Sequence, residues 1–270
     1  ARLVRADSVD AVEACLADVY IPVQESTDLL DRFRRFNIYG GYPEFLTRSG
    51  DRDRRNWLNN YRQTYLETDL RELVNLNSTE VFERFETLFA VRVGSLLNFS
   101  ELARDCGVTA DTVRRFVNYY RQLFIAWQLP PFYRNLGKRV MKSPKWYFSD
   151  TGLARCLLNN YREDAGALFE NTVLTEIRKH LYLSNLRENL FFIRTASGVE
   201  ADAVFPLADP QVTIYSEVKC SAAYHPADVR HLKKCLERDA GGVGLLVTFA
   251  GTIEKIAERI WHVPVHWLLQ

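Results

Sequence analysis

The sequence predicts a multidomain protein of mixed α+β and α/β class, and three observations predict it. Apolar residues at helical spacing dominate residues 1–80; residues 81–158 run through three helices into two strands; residues 159–270 follow the order helix, three strands, helix, strand. That last order, αβββαβ, indicates a sheet layered with helices. The chain therefore divides into a helical N-terminal segment (1–80), a middle domain (81–158) and a C-terminal domain (159–270).

In the first segment Ser8 is placed to cap a helix through VDAVEACLADVY, and Ser26 or Thr27 to cap TDLLDRFRRF. Gly40-Gly41 breaks the pattern before Tyr42-Pro43-Glu44. A long helix is expected from about Asp51 to Leu73, because Trp57, Leu58, Tyr61, Tyr65, Leu66 and Leu70 recur on one face.

The middle domain opens with a helix carrying Leu88, Phe89, Val91, Leu96 and Leu97. Ser100 is the N-cap candidate for ELARDC, which Gly107 stops, and Thr109 caps DTVRRFVNYYRQL. Two strands follow, FIAWQLPPFYRN and WYFSD, with a turn at Gly137. Three helices and then a hairpin form the outline of a winged helix-turn-helix. The C-terminal domain begins with the helix ALFENTVLTEIRKHLY, followed by the strands LFFIRT, VEADAVFPL and TIYSEVKC. A helix over about Ala227–Arg238, a strand GVGLLVTF, a helix over about Ile253–Ile260 and a strand VPVHWLL complete it.

Glu217 and Lys219 are two apart on one strand and so share a face; Asp202 lies on the preceding strand and reaches the same edge. Glu170 stands near the start of the first helix. A helix Glu, a strand Asp and a strand Glu-x-Lys, in that order, are the parts of a PD-(D/E)XK nuclease-like site. Hard cations such as Mg²⁺ take carboxylate oxygens and keep several waters, so Glu170, Asp202 and Glu217 are the candidate ligands, with Mn²⁺ as a substitute ion. Lys219 is expected to orient the attacking water or to stabilise the pentavalent phosphate. The bland alternative is a solvated strand edge with an ordinary Glu–Lys pair. Glu200 competes with Asp202, and Glu176 with Glu170, for the same roles, or both are surface charges.

The middle domain is also the basic one: residues 81–150 hold eleven Lys and Arg against six Asp and Glu. No acid lies between Asp111 and Asp150, an interval with Arg114, Arg115, Arg121, Arg134, Lys138, Arg139, Lys142 and Lys145. Arg114, Arg115 and Asn118 fall on the expected recognition helix, and Lys138 and Arg139 at the wing turn, positions suited to phosphate and groove contacts. Such contacts name no base sequence, and a winged helix can equally serve as a packing module. Phe116, Tyr119, Tyr120, Phe124 and Trp127 read as core, not as stacking platforms.

Five scattered cysteines without a CxxC pair suit reduced thiols in a cytoplasm and give no structural zinc. The apolar runs are too short to span a bilayer, and no signal peptide is visible. A chain beginning with Ala reads as a fragment or a processed product. The five histidines form no HExxH or Cys/His cluster, and no GxSxG elbow is present.

Taken together, GGYPEF at 40–45, YLETDLREL at 65–73, FSELARDCGVTADTVRRF at 99–116, LPPFYRNLGKRVMKSPKWYFSDTGLA at 129–154, GALFENTVLTEI at 166–177, RTASGVEADAVF at 194–205 and EVKCS at 217–221 resemble a prokaryotic family. Its members are AAA-type P-loop ATPases followed by a C-terminal domain of unknown function. The resemblance runs from about residue 26 to near the end. It implies an ATPase lid or helical connector, a winged helix and a nuclease-like domain, and carries over Glu170, Asp202, Glu217 and Lys219. No G-x-x-x-x-G-K-[ST] loop occurs in the chain, so no ATP site is expected and ATP hydrolysis by this chain alone is not. Arg71 reads as a helix-surface residue, or as an aid to a neighbouring ATPase.

The expected function is nucleic-acid binding, to DNA first and RNA second, with Mg²⁺-dependent phosphodiester cleavage alongside an ATPase domain or subunit. Two alternatives stand beside it: a noncatalytic DNA- or protein-interaction or regulatory module with a relic nuclease fold, and a structural remnant of an ATPase assembly. The expected location is the cytoplasm, with no membrane partner.

Overall fold

A computed structural model describes residues 3–19, 22–66, 79–132, 143–186, 189–195, 197–207 and 212–269. It is a mixed α and β protein, compatible with an α+β multidomain chain. The backbone separates into two compact units: Ala1–Phe33 with Leu129–Lys142 and Val173–Gln270, and Arg34–Gln128 with Ser143–Thr172. Each unit is therefore built from more than one stretch of the sequence.

The Arg34–Thr172 unit contains the end of α2 (Val23–Tyr39), then α3 (Asp51–Tyr61), α4 (Thr79–Val91), α5 (Phe99–Cys106), α6 (Ala110–Gln122), β1 (Ala126–Leu129), β2 (Lys145–Phe148), α7 (Thr151–Leu158) and the start of α8 (Gly166–Leu183). Its core is aromatic: Phe82, Phe85, Phe89, Phe116, Tyr120 and Phe148 are buried and meet largely edge to face, the arrangement that ring quadrupoles favour. β1 and β2 pair as a two-stranded sheet, and Leu96 adds an antiparallel bridge to Lys145.

Local chemistry accounts for the helix ends. The Thr109 hydroxyl accepts from the Thr112 amide at 3.2 Å to start α6, and Gly107, at φ 73°, ends α5 in the left-handed region. The cap of α5 is Asn98, not Ser100: its Oδ1 accepts from the Ser100 and Glu101 amides at 3.1 and 3.2 Å. α4 ends at Val91, so Leu96 and Leu97 lie beyond it. α3 keeps α geometry only to Tyr61 and passes into a π-helical turn over Arg62–Leu66; Leu70 and Leu73 lie outside the described residues.

The GGYPEF and FSDTGLA stretches serve each other. Asp150 caps α7 by accepting from the Leu153 amide at 3.2 Å and also accepts from the Gly41 amide at 2.7 Å. Gly40 sits at φ 82°, and a Cβ there would collide with the Asp150 carboxylate. Around this contact Asn37, Thr151, Asn171 and Thr172 form a buried hydrogen-bonded group. Arg155, fully buried, donates to the carbonyls of Asn37, Asn160 and Arg162.

The other unit holds α1 (Val9–Ala17), the first part of α2, the rest of α8, β3 (Phe191–Arg194), β4 (Glu200–Pro206), β5 (Thr213–Lys219), α9 (Arg230–Leu236), β6 (Gly242–Thr248), β7 (Glu254–Ala257) and β8 (Ile260–Pro264). Its six strands run β3-β4-β5-β6-β8-β7. β5, β6 and β8 are parallel neighbours, and β3, β4 and β7 pair antiparallel. On one face Val204, Tyr215, Leu246 and Ile260 pack with Leu232 and Leu236 of α9 in a single core cluster.

Two expectations in this unit are corrected. Ile253–Ile260 is not a helix: Glu254–Ala257 is a strand paired antiparallel with β8. Arg259 makes the turn at φ 54°, and its guanidinium is anchored by the carbonyls of Leu236, Asp239, Ala240 and Gly242. VPVHWLL is strand only to Pro264 and continues as a 3-10 turn over Val265–Leu269. A third concerns α2, which begins at Val23, so Ser26 is no cap; its hydroxyl lies 2.9 Å from His266 Nε2.

Candidate functional site

The pleat of β4 and β5 sets the candidate site. Ala203 stands opposite Ser216, and the alternation of both strands puts Asp202, Glu217 and Lys219 on the face shared with Tyr215 and α9. Asp202 Oδ2 accepts from the Val218 amide at 2.9 Å, so its carboxylate reaches across to the neighbouring strand. Glu217 is only 6% exposed, and its Oε1 accepts from Lys219 Nζ at 2.7 Å. Lys219 keeps 38% of its side chain exposed at the strand end.

The ammonium of Lys219 reads this cluster electrostatically. Burial works to lower its pKa, but the hydrogen bond and charge of Glu217, with the charges of Asp202 and Asp228, outweigh burial and hold it above the usual lysine value. Cys235 of α9 feels the same acid: burial first, then the Glu217 charge, pushes its thiol up to about 11. Asp228, which no motif singled out, enters through a 3-10 turn over Pro226–Val229, where its Oδ2 accepts from the His225 amide at 2.7 Å. Only the spacing from His-Pro to Asp hinted at that cap.

The structure brings Asp202, Glu217 and Lys219 together. Glu170 belongs to the other unit, where its Oε1 accepts from Tyr147 Oη at 2.6 Å and from Lys145 Nζ at 3.5 Å. Among the described residues, no three His, Cys, Asp or Glu side chains are grouped to hold a metal ion. Asp202 and Glu217 remain a two-carboxylate set, and that donor set suits Mg²⁺, which binds through one or two carboxylates and keeps its waters. The competing acids are engaged elsewhere: Glu200 pairs with Arg194 at 3.0 Å, and Glu176 with Lys179 at 2.6 Å.

On α6, Val113, Phe116, Val117 and Tyr120 face the core, which leaves Arg114, Arg115 and Asn118 exposed on the opposite side. Arg114 also pairs with Asp111 at 2.6 Å and lies over the Phe99 ring at 5.5 Å. Lys138, Arg139 and Arg71 lie outside the described residues. Tyr120 and Trp127 are core residues as expected, whereas Phe124 is 80% exposed, carried outward by a left-handed backbone at φ 57°. His262 and His266 are buried: His262 Nε2 lies 2.6 Å from Thr248 Oγ1, and burial lowers the pKa of both rings.

Residues 30–164, half of the chain, match the family described as Domain of unknown function (DUF8612), and residues 165–268 match Domain of unknown function (DUF4143). Two curated relatives are uncharacterized proteins of Mycobacterium bovis and Mycobacterium tuberculosis, each 31% identical over 181 residues. The aligned part covers 64% of this chain and 40% of each relative, so the match spans well under half of their length. No helix among the described residues is long and apolar enough to cross a membrane.

Proposed function

We propose, for a chain that belongs to the DUF8612 family, a nucleic-acid-binding role with Mg²⁺-dependent phosphodiester cleavage at Asp202, Glu217 and Lys219. The observation that carries the reading is the convergence of two carboxylates and one ammonium on one face of β4 and β5. The order α8, β3, β4, β5, α9, β6 supports a PD-(D/E)XK nuclease-like domain, and α4, α5, α6, β1, β2 supports a winged helix that offers Arg114, Arg115 and Asn118 to phosphate. An ATPase module working beside these domains fits the length of the relatives beyond the matched part.

Asp202 and Glu217 would hold the ion, and Mg²⁺ there would lower the pKa of a water and polarise a phosphate oxygen. Asp202 is held toward β5 by the Val218 amide, which fixes the carboxylate before substrate arrives. Lys219 shifts its hydrogen bond from Glu217 to a phosphate oxygen and offsets the charge that grows there. The exposed end of β5 leaves that ammonium accessible.

A second reading has its own observation. Glu170 is committed to Tyr147 and Lys145, which favours a noncatalytic interaction module built on a nuclease-like fold. A cleavage assay on single- and double-stranded DNA and RNA, with Mg²⁺ or Mn²⁺, separates the two. Asp202→Ala is expected to lower metal-dependent cleavage by about 10²–10³-fold, the order of one lost transition-state contact. Cleavage that survives in Asp202→Ala and Lys219→Ala assigns the activity elsewhere. Binding without cleavage selects the second reading, and then Arg114→Ala with Arg115→Ala should reduce the salt slope of binding by about 2; an unchanged slope removes α6 from the interface.

A further inference from the structure

The sheet that carries Glu217 has a second face, and that face does not close. Alternation along β5 sends Ser216 away from the acid cluster, between Ala203 of β4 and Leu245 of β6. Above it lies a cavity of about 1090 Å³, bounded by the sheet, by α1 and by α8. Its space follows from small side chains on two walls. Ser216 keeps the floor low, and α1 turns Ala11 and Ala14, three residues apart, toward it. Leu245, Val247 and Val263 make the rest of the floor apolar.

Ser216 is the exception in that floor. It is fully buried, and its Oγ has no hydrogen-bond partner. A buried hydroxyl without a partner costs stability, and native structures leave few of them without a reason. Ligand pockets fix the orientation of what they bind with a few placed polar groups on an apolar lining; here Cys15 of α1 and His180 of α8 join the Ser216 hydroxyl, and the volume is of the ligand-pocket order, roughly 300–1,000 Å³. At the rim Arg5 stands with Asp7 and Asp18, charges of both signs that give no field selective for an ionic head group.

We infer that this cavity binds an uncharged aliphatic molecule with one hydrogen-bonding oxygen, received by the Ser216 hydroxyl. The site is independent of the phosphodiester reading, since it lies on the opposite face of β5 and shares none of its residues.

The test uses the full chain and the uncharged fluorophore N-phenyl-1-naphthylamine, displaced by 1-octanol or by octane. Saturable probe binding and displacement by both compounds are expected. Ser216→Ala removes the hydroxyl and adds no bulk at this fully buried position. It should weaken 1-octanol about tenfold, the order of one net hydrogen bond, leave octane unchanged, and not lower the melting temperature. Ala14→Phe, at an exposed position of α1, should obstruct both compounds while the protein melts as the parent does. No saturable probe binding overturns the inference. So does an octanol affinity that ignores Ser216→Ala, or affinities for both compounds that survive Ala14→Phe.

Discussion

Glu86 and Glu217 are both almost wholly buried glutamates with a basic partner at 2.7 Å, yet their surroundings differ. Glu86, in the aromatic core of the Arg34–Thr172 unit, takes the Arg62 guanidinium on one oxygen and the Tyr120 hydroxyl on the other. Its partners come from α4's own neighbours in the core, and Arg62 is held by two nitrogens on the same oxygen, 2.8 and 2.7 Å away. Glu217 meets the ammonium of Lys219 two residues along its own strand, and that lysine reaches solvent. A buried acid bound by several donors from distant segments is a structural pin. A buried acid whose partner is local and exchangeable can trade that partner for a cation.

Substitution at the two positions gives the largest expected contrast. Glu86→Ala leaves Arg62 and the buried Tyr120 hydroxyl without their shared acceptor and should cost about 3–5 kcal/mol, the range for breaking a buried ion pair. The lower end is favoured because the Arg62 side chain is 22% exposed. Glu217→Gln should cost under about 1 kcal/mol, since its partner is half in water, while removing metal-dependent cleavage. Urea melts followed by circular dichroism read both. Equal losses at the two positions would erase the distinction and make Glu217 a second pin.

The same contrast explains what was legible in the sequence. The Thr109 cap, the Gly107 stop and the strands of αβββαβ depend on neighbours in sequence, so they could be read directly. Asp202, Glu217 and Lys219 were legible because a two-residue strand period puts a side chain on a known face. Glu170 was chosen for its place on a helix, but its partners Tyr147 and Lys145 are 23 and 25 residues away, and no local pattern announces them. Ile253, Ile256 and Ile260 have helical spacing, yet the Arg259 anchor to four carbonyls turns the chain into a hairpin there. Ser216 looked like any strand serine; only the register against Ala203 and Leu245 shows what it faces.

The smallest expected effect is a titration, and it tests whether the Glu217 partner is exchangeable in the way the Glu86 partner is not. The pKa of Lys219 in the folded chain lies above its ordinary value of 10.5. Folding therefore favours the protonated form, and the pair contributes stability that is fully present below about pH 10.5 and is lost as pH rises through the raised folded value. Because 38% of the lysine side chain is exposed, solvent screening limits that contribution to a few tenths of a kcal/mol. Arginine stays protonated over this range, so the Glu86 pair has no counterpart titration. Other lysines and tyrosines also titrate there, so the informative quantity is a difference in melting temperature between the parent chain and Lys219→Met. That difference should be constant from neutral pH to about pH 10 and shrink above it, and in a Glu217→Gln background it should fall to what the Asp202 and Asp228 charges contribute. A difference that stays flat into strong alkali, or that Glu217→Gln leaves unchanged, would mean that Lys219 draws its stability from packing of its stem and not from the acid beside it.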